Sequence, residues 1–190
     1  MNKTFVSAAS LLRDSFRLAA KIHEDGFAPD FIVGIWRGGT PVGVAIQEYF
    51  EFVGIPTDHI AVRTSAYAGI GKRSKTIRVH GLHYIIEEAN ADHSLLIVDD
   101  VFDSGSSIKA LLHDLTVKMR RNLPNTIRIA TPWYKPGNNE TDMVPDYYLH
   151  ATDEWIVFPH ELEGLTMDEI EQGKTELAPI MDLFRAANKG

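Results

Sequence analysis

The sequence predicts an α/β fold in which a mostly parallel sheet is flanked by helices on both faces. Short apolar runs, such as FIVGIW at residues 31–36 and LLIV at residues 95–98, have the length of buried strands. Amphipathic helical patterns separate these runs, and strands that alternate with helices favour parallel pairing beneath two helical layers. Ligands of such folds bind beyond the carboxyl ends of the strands, so a functional site is expected in the loops that follow them.

Each element has its own local signal. Gly26 and Gly54 stand just beyond two amphipathic patterns, where helices commonly end, and Lys118 lies in the last turn of a third, where the helix dipole favours a cation. The predicted helices span residues 7–25, 41–52 and 106–121, with a helical tail from about residue 166. The predicted strands span residues 31–36, 59–65, 76–80, 93–98, 127–134 and 147–151.

Length and composition indicate a globular protein. The 190 residues suit one domain, and we expect a single domain over residues 1–190, with its motifs in residues 28–162 and a helical tail in residues 163–190. There is no cysteine, which excludes disulfides and thiolate metal sites and favours a cytoplasmic location. We expect no signal peptide, no membrane partner and, with a net charge of -7, no nucleic-acid partner.

The loop after residue 98 carries the strongest chemical signal. Two adjacent carboxylates, Asp99 and Asp100, stand at a strand end, where they can accept hydrogen bonds from a vicinal diol. Asp103 and residues 104–107 then open a helix, and backbone N–H groups, serine hydroxyls and a glycine suit a phosphate dianion. The alternative is that Asp103 or Ser104 only caps the helix. One loop is therefore predicted to hold both ends of a ribose 5-phosphate.

The stretch LLIVDDVFDSGSS, residues 95–107, resembles the phosphoribosyl pyrophosphate (PRPP) motif of type I phosphoribosyltransferases. The resemblance implies that family's fold, with a small hood region. It implies that Asp99 and Asp100 bind the ribose hydroxyls. It also implies that the 5-phosphate is bound by the following four residues, Ser104, Gly105, Ser106 and Ser107. The chain has Ser where many members have Thr, and the hydroxyl is kept.

Two further segments resemble the same family. Arg37, Gly38 and Gly39 follow a buried strand and are similar to the family's pyrophosphate loop, although a tight strand-to-helix turn is the alternative. Ser65 and Tyr67 resemble the pair of the mobile loop that closes over the reacting sugar. Because Ala66 separates them, either the register is shifted or the pair works differently.

The loop after this pair is rich in glycine and positive charge. Lys72, Arg73 and Lys75 suit attraction of a polyanion, and an exposed hairpin is the alternative.

Two last segments are WYK, residues 133–135, at a predicted strand end, and DEWIVFPHE, residues 153–161. Together they resemble the base-recognition elements of the family's 6-oxopurine branch. The resemblance implies that Lys135 donates to the exocyclic O6 of the base, that Trp155 stacks on the base, and that the Ile156 backbone faces its pyrimidine edge. The alternatives are a surface lysine and a core tryptophan. Asp103 would contact N7 as general base, and Glu161 would lie near a magnesium ion or its water shell.

The expected activity is transfer of the phosphoribosyl group from PRPP to hypoxanthine, guanine or xanthine, with release of pyrophosphate, in purine salvage. Mg²⁺ is the expected cofactor, held near Asp99, Asp100 and Glu161 mostly through PRPP oxygens and water. The resemblance also implies a homodimer or homotetramer. Two alternatives stay open: a type I enzyme for another base, and a regulator that senses PRPP or nucleotides on the same fold. The net negative charge and the short length of the chain argue against a regulator.

Overall fold

The computed structural model describes residues 3–67 and 76–187. The strands are β1 (Lys3–Phe5), β2 (Phe31–Trp36), β3 (Asp58–Tyr67), β4 (Thr76–His80), β5 (Ser94–Val98), β6 (Val101–Phe102), β7 (Thr126–Ala130), β8 (Trp133–Tyr134), β9 (His150–Ala151) and β10 (Trp155–Val157). The helices are α1 (Ala8–Glu24), α2 (Gly39–Phe52), α3 (His83–Glu88), α4 (Ser106–Met119), α5 (Met167–Gly173) and α6 (Met181–Ala187). Three short 3-10 segments complete the described elements: Arg120–Asn122, Pro136–Asn138 and Thr175–Ile180.

The chain divides into two compact units. The larger unit is Leu12–Asp153, and the smaller unit combines Met1–Leu11 with Glu154–Gly190. No helix within residues 3–67 and 76–187 has both the length and the apolar content that crossing a membrane requires. The prediction of a single domain stays a prediction.

The larger unit contains a five-stranded sheet of order β4-β3-β2-β5-β7. Strands β3, β2, β5 and β7 are mutually parallel, and β4 pairs antiparallel with β3. Because side chains alternate across a strand, Val33 and Ile97 join a buried cluster with Ile85 of α3 and Leu111 of α4. Ile32 lies on the other face, close to Gly43 of α2. The predicted α/β fold with helices on both faces is confirmed.

Some predicted boundaries in the larger unit were wrong. The predicted strand 127–134 is two strands, β7 and β8, because Pro132 has no N–H to continue a ladder. Only His150–Ala151 of the predicted strand 147–151 is a strand, and Tyr147 forms an isolated bridge to Ala130. The short helix α3 and the small sheet of order β6-β8-β9 were not predicted.

The smaller unit joins the beginning and the end of the chain. Strand β1 pairs in parallel with β10, so that Lys3 lies opposite Trp155. Helix α5 begins with a capping box, in which Thr166 and Glu169 bond to each other's backbone N–H groups. The described part of the predicted helical tail forms α5, a 3-10 segment and α6.

Candidate active site

The acidic loop follows β5, an interior strand of the five-stranded sheet. Strand β5 lies between β2 and β7, so the carboxyl ends of three parallel strands surround Asp99 and Asp100. A pocket of about 180 Å³ opens beside this loop. Its lining residues are Asp99, Val101, Phe102, Asp103, Ser104, Gly105, Ser107 and Ile108. Most of the predicted ribose 5-phosphate loop therefore lines a single concave surface.

The Arg-Gly-Gly segment meets this loop directly. A Cβ atom on Gly39 would lie 2.3 Å from the carbonyl oxygen of Val98, and one on Gly38 would lie 1.8 Å from Oδ2 of Asp100. Asp100 is only 7% exposed, whereas the side chain of Arg37 is exposed. The peptide bond between Trp36 and Arg37 is cis. Two segments about 60 residues apart in the sequence thus touch, with no space for a side chain at either glycine in this arrangement.

Electrostatic repulsion and burial act together at the acidic pair. Burial and the negative charge of Asp100 raise the pKa of Asp99 well above its usual value, while hydrogen bonds from the backbone amides of Asp100 and Gly39 lower it. The Asp100 amide donates to Asp99 Oδ1 over 3.0 Å. Hydroxyl donors or a hard cation would relieve the unfavourable negative charge at this position.

The glycine and serine residues of the loop begin helix α4. Gly105 occupies the N-cap position with a φ of 75°, and a Cβ atom there would lie 2.7 Å from Thr141 Oγ1. The Ser106 amide donates to Ser104 Oγ over 3.3 Å, and Thr64 Oγ1 lies 3.5 Å from Ser107 Oγ. Gly105 and not Asp103 is the N-cap, so the alternative that Asp103 only caps the helix is wrong. For Ser104 the capping alternative stays open, because its Oγ accepts the amide of the first residue of α4. The loop combines hydroxyls with a helix N-terminus, which suits an anion.

Asp103 and Lys135 are brought together by the small sheet. Strands β6 and β8 pair in parallel with Phe102 opposite Tyr134, so the residues that follow them stand side by side. The Lys135 amide donates to the Phe102 carbonyl over 2.9 Å. Its Nζ lies 3.3 Å from Asp103 Oδ2. Lys135 is 9% exposed, so the alternative of a surface lysine is wrong.

A residue absent from the sequence predictions completes this contact. Asn138 Nδ2 donates to Asp103 Oδ1 over 2.9 Å. Asn138 ends the 3-10 segment Pro136–Asn138, which directly follows Lys135. The segment carries no motif that would identify Asn138, because its contact depends on the pairing of two strands of two residues each.

The other residues predicted to bind the base or magnesium lie in the smaller unit. Trp155 is 45% exposed, which does not fit the alternative of a core tryptophan, and Lys3 Nζ lies 5.5 Å from the centroid of its ring. The side chain of Ile156 is buried. Glu161 Oε2 accepts a hydrogen bond from the Phe158 amide over 3.1 Å. The base-binding and metal-binding roles of these residues stay predictions.

The predicted mobile-loop pair lies at the end of a strand. β3 extends through Ser65 to Tyr67, and Ser65 Oγ lies 3.2 Å from His80 Nε2 on β4. The predicted basic residues Lys72, Arg73 and Lys75 lie outside the described residues.

The arrangement of potential metal ligands also bears on the predicted magnesium ion. Within the described part of the chain, no three His, Asp or Glu side chains group closely enough to hold a metal ion. Two adjacent carboxylates nevertheless fit a cation that takes its other ligands from a phosphorylated substrate and from water, as Mg²⁺ commonly does.

Comparison with known proteins agrees with the fold. Residues 3–165 match the family described as phosphoribosyl transferase domain. The chain resembles a purine phosphoribosyltransferase from Pyrococcus horikoshii at 29% identity and a TM-score of 0.65, over 87% of this chain and 99% of that chain. It also resembles, in fold, a Helicobacter pylori xanthine-guanine-hypoxanthine phosphoribosyltransferase at 19% identity and a TM-score of 0.67, over 90% of this chain and 99% of that chain. A Neisseria gonorrhoeae hypothetical protein with bound ppGpp shares the fold at 21% identity and a TM-score of 0.72, over 92% of this chain and 97% of that chain.

Proposed function

This chain is a phosphoribosyltransferase of the phosphoribosyl transferase domain family, and from that premise we propose that it transfers a 5-phosphoribosyl group from PRPP to a 6-oxopurine. The observation that carries the proposal is the pair formed by Lys135 Nζ and Asp103 Oδ2, which lie 3.3 Å apart. Asp103 directly follows β6 and lines the pocket. The pair presents a hydrogen-bond donor beside an acceptor.

That arrangement is complementary to one edge of a 6-oxopurine. The exocyclic O6 of such a base accepts hydrogen bonds and stands next to N7. A lysine ammonium can donate to O6, while the neighbouring carboxylate accepts the proton of an N7–H tautomer. Uracil and orotate have no five-membered ring to present N7. Adenine presents an amino donor where O6 would be, and this donor would face the lysine donor. The pair therefore favours a 6-oxopurine over these bases.

The proposed reaction is a displacement at ribose C1. N9 of the base forms a bond to C1, the bond from C1 to the pyrophosphate oxygen breaks, and the N7 proton passes to Asp103 as general base. Asp99 and Asp100 would bind the ribose hydroxyls, and residues 104–107 would bind the 5-phosphate. Arg37 and the backbone of the two following glycines would bind the diphosphate. These residues act mostly by positioning the substrate and by offsetting its charge.

Magnesium fits the acidic pair. Asp99 and Asp100 would hold the ion together with PRPP oxygens and water, and Glu161 is a further candidate by resemblance. When bound, the ion would offset the charge of the departing pyrophosphate. Trp155 stacking on the base and the Ile156 backbone facing its pyrimidine edge are proposed from the family resemblance alone.

The most direct experiment supplies PRPP and MgCl₂ with hypoxanthine, guanine, xanthine, adenine, uracil or orotate, and follows nucleotide and pyrophosphate. We expect product with 6-oxopurines. Asp103→Asn is the matched variant, and its kcat should fall by about 10²-fold or more while PRPP binding, measured by calorimetry, is kept.

Three outcomes would contradict the proposal. Product with a pyrimidine only would indicate an enzyme for another base. PRPP binding without consumption would indicate a regulator. Unchanged turnover in Asp103→Asn would remove that residue from the chemistry.

A further inference from the structure

The carboxylate of Asp103 is held at both oxygens. Lys135 Nζ lies 3.3 Å from Oδ2, and Asn138 Nδ2 donates to Oδ1 over 2.9 Å. The Asp103 side chain is 47% exposed, so packing alone does little to fix its orientation. The terminal torsion of an aspartate is also broad and permits wide rotation. Its two hydrogen-bond partners therefore define which oxygen faces which neighbour.

The segment that carries Asn138 is itself anchored. The Gly137 amide donates to Asp153 Oδ1 over 2.8 Å, and a Cβ atom on Gly137 would lie 2.8 Å from Oδ2 of the same carboxylate. Pro136 begins the 3-10 segment with a fixed φ, and the Asn138 amide returns to the Lys135 carbonyl over 3.2 Å. A continuous set of contacts thus runs from Asp153 through this turn to Asp103.

We propose that Asn138 is a positioning residue that occupies Oδ1 of Asp103 and leaves Oδ2 as the oxygen that accepts the proton of the base. Asp153 supports it by holding the turn. This inference rests on the proposed function, since it assigns the orientation of the general base.

The two partners of Asp103 have different tasks. A lysine ammonium has three N–H donors, so Lys135 can contact Oδ2 and the O6 atom of an arriving base together. Its contact with Asp103 is therefore shared with the substrate. The amide of Asn138 lies on the other carboxylate oxygen and keeps that contact when the base arrives. Correct orientation before proton transfer is what positioning supplies to catalysis, and a misplacement of about 1 Å can cost roughly 10²-fold in rate.

Two variants of Asn138 test the inference by steady-state kinetics with PRPP and a 6-oxopurine. Asn138→Ala removes the donor and should lower kcat about tenfold or more, with the KM for PRPP unchanged. Asn138→Asp keeps the shape but places a negative charge at Oδ1, so it should lower kcat further. A residue that only fills space would give the opposite order. Asn122→Asp, which adds the same charge at an exposed position beyond α4, should match the parent.

A double-mutant cycle asks whether Asn138 acts through Asp103. In an Asp103→Asn background, Asn138→Ala should change the residual kcat by less than about twofold, because residues that act as one unit are not additive. Asp153→Ala should lower kcat several-fold, and Asp153→Asn, which keeps a carbonyl acceptor for the Gly137 amide, should retain more activity than Asp153→Ala.

The outcomes separate this inference from the proposed function. A parent enzyme that makes no nucleotide would overturn the proposed function and, with it, the role of Asn138. An active parent with an equally active Asn138→Ala variant would overturn the positioning role alone. So would an Asn138→Ala substitution that lowers kcat by the same factor in the Asp103→Asn background as in the parent.

Discussion

At the scale of single residues, Tyr147 shows how a partly buried hydrogen bond links the stability of the larger unit to pH. Its hydroxyl donates to Asp25 Oδ2 over 2.7 Å. Burial, that hydrogen bond and the carboxylate's charge raise the pKa of Tyr147 from 10.0 to about 12. The folded state therefore holds the phenol proton more tightly than the unfolded state does. The resulting stabilisation is complete below about pH 10 and is lost as the pH rises through about 12.

Urea unfolding of the parent and of Tyr147→Phe at several pH values measures this contribution. We expect the parent to have the larger free energy of unfolding at neutral pH, and the difference to shrink between pH 10 and about 12. A difference that stays constant across that range would show that the Tyr147 hydroxyl does not carry the effect.

The chemical role of a residue could be predicted where a sequence motif contains that residue. Asp103 and Lys135 follow from the family resemblance, and the structure brings them to 3.3 Å. Asn138 could not be predicted, because an isolated asparagine after a Pro-Gly turn has many ordinary roles. The same holds for the contact between His150 Nε2 and Asp14 Oδ2, which are 2.8 Å apart although the residues are 136 positions apart in the chain.

At the scale of elements, the close contact between the Arg-Gly-Gly segment and the acidic loop makes a second prediction. Gly39→Ala places a Cβ atom against backbone, so β5 and α2 must separate, and we expect a loss of about 1–3 kcal/mol in the free energy of unfolding. Gly38→Ala meets the side chain of Asp100, which can move, so we expect weaker PRPP binding with a smaller loss of stability.

Urea unfolding measures the loss of stability, and calorimetry with PRPP measures the change in binding. Gly43→Ala is the matched control in the same helix, because its Cβ atom would meet Ile32 Cγ2 at an ordinary 3.8 Å. Alanine also favours a helix over glycine, so the control should be neutral or stabilising. Equal stability of Gly39→Ala and Gly43→Ala would contradict the close contact described for the segment.

Long elements were predictable and short ones were not. Strands β2 and β5 are apolar runs buried on both faces, and α1 and α4 have clear amphipathic periods, so pattern alone identifies them. The strands of two or three residues, including β6 and β8, have no usable pattern. They exist because their partners hold them, and these partners are distant in the sequence.

At the scale of the whole molecule, the C-terminal tail has a definite structural role in the smaller unit. Lys174 is 2% exposed, and its Nζ donates to the carbonyls of Phe158 over 2.6 Å and Pro159 over 3.2 Å. Burial lowers the pKa of Lys174. The tail thereby holds the turn that leads to Glu161. The division of the chain into two units could not be predicted, because the smaller unit assembles segments from opposite ends of the sequence.

The central claim is that Lys135 and Asp103 select a 6-oxopurine as acceptor of the phosphoribosyl group. The measurement that tests it most directly is the ratio of kcat/KM for hypoxanthine to that for adenine, in the parent and in Lys135→Ala. We predict a ratio of about 100-fold or more in the parent, because a site built to donate to O6 rejects an amino group, and a much smaller ratio in Lys135→Ala. A parent that uses adenine as well as hypoxanthine, or a ratio that Lys135→Ala leaves unchanged, would contradict the account.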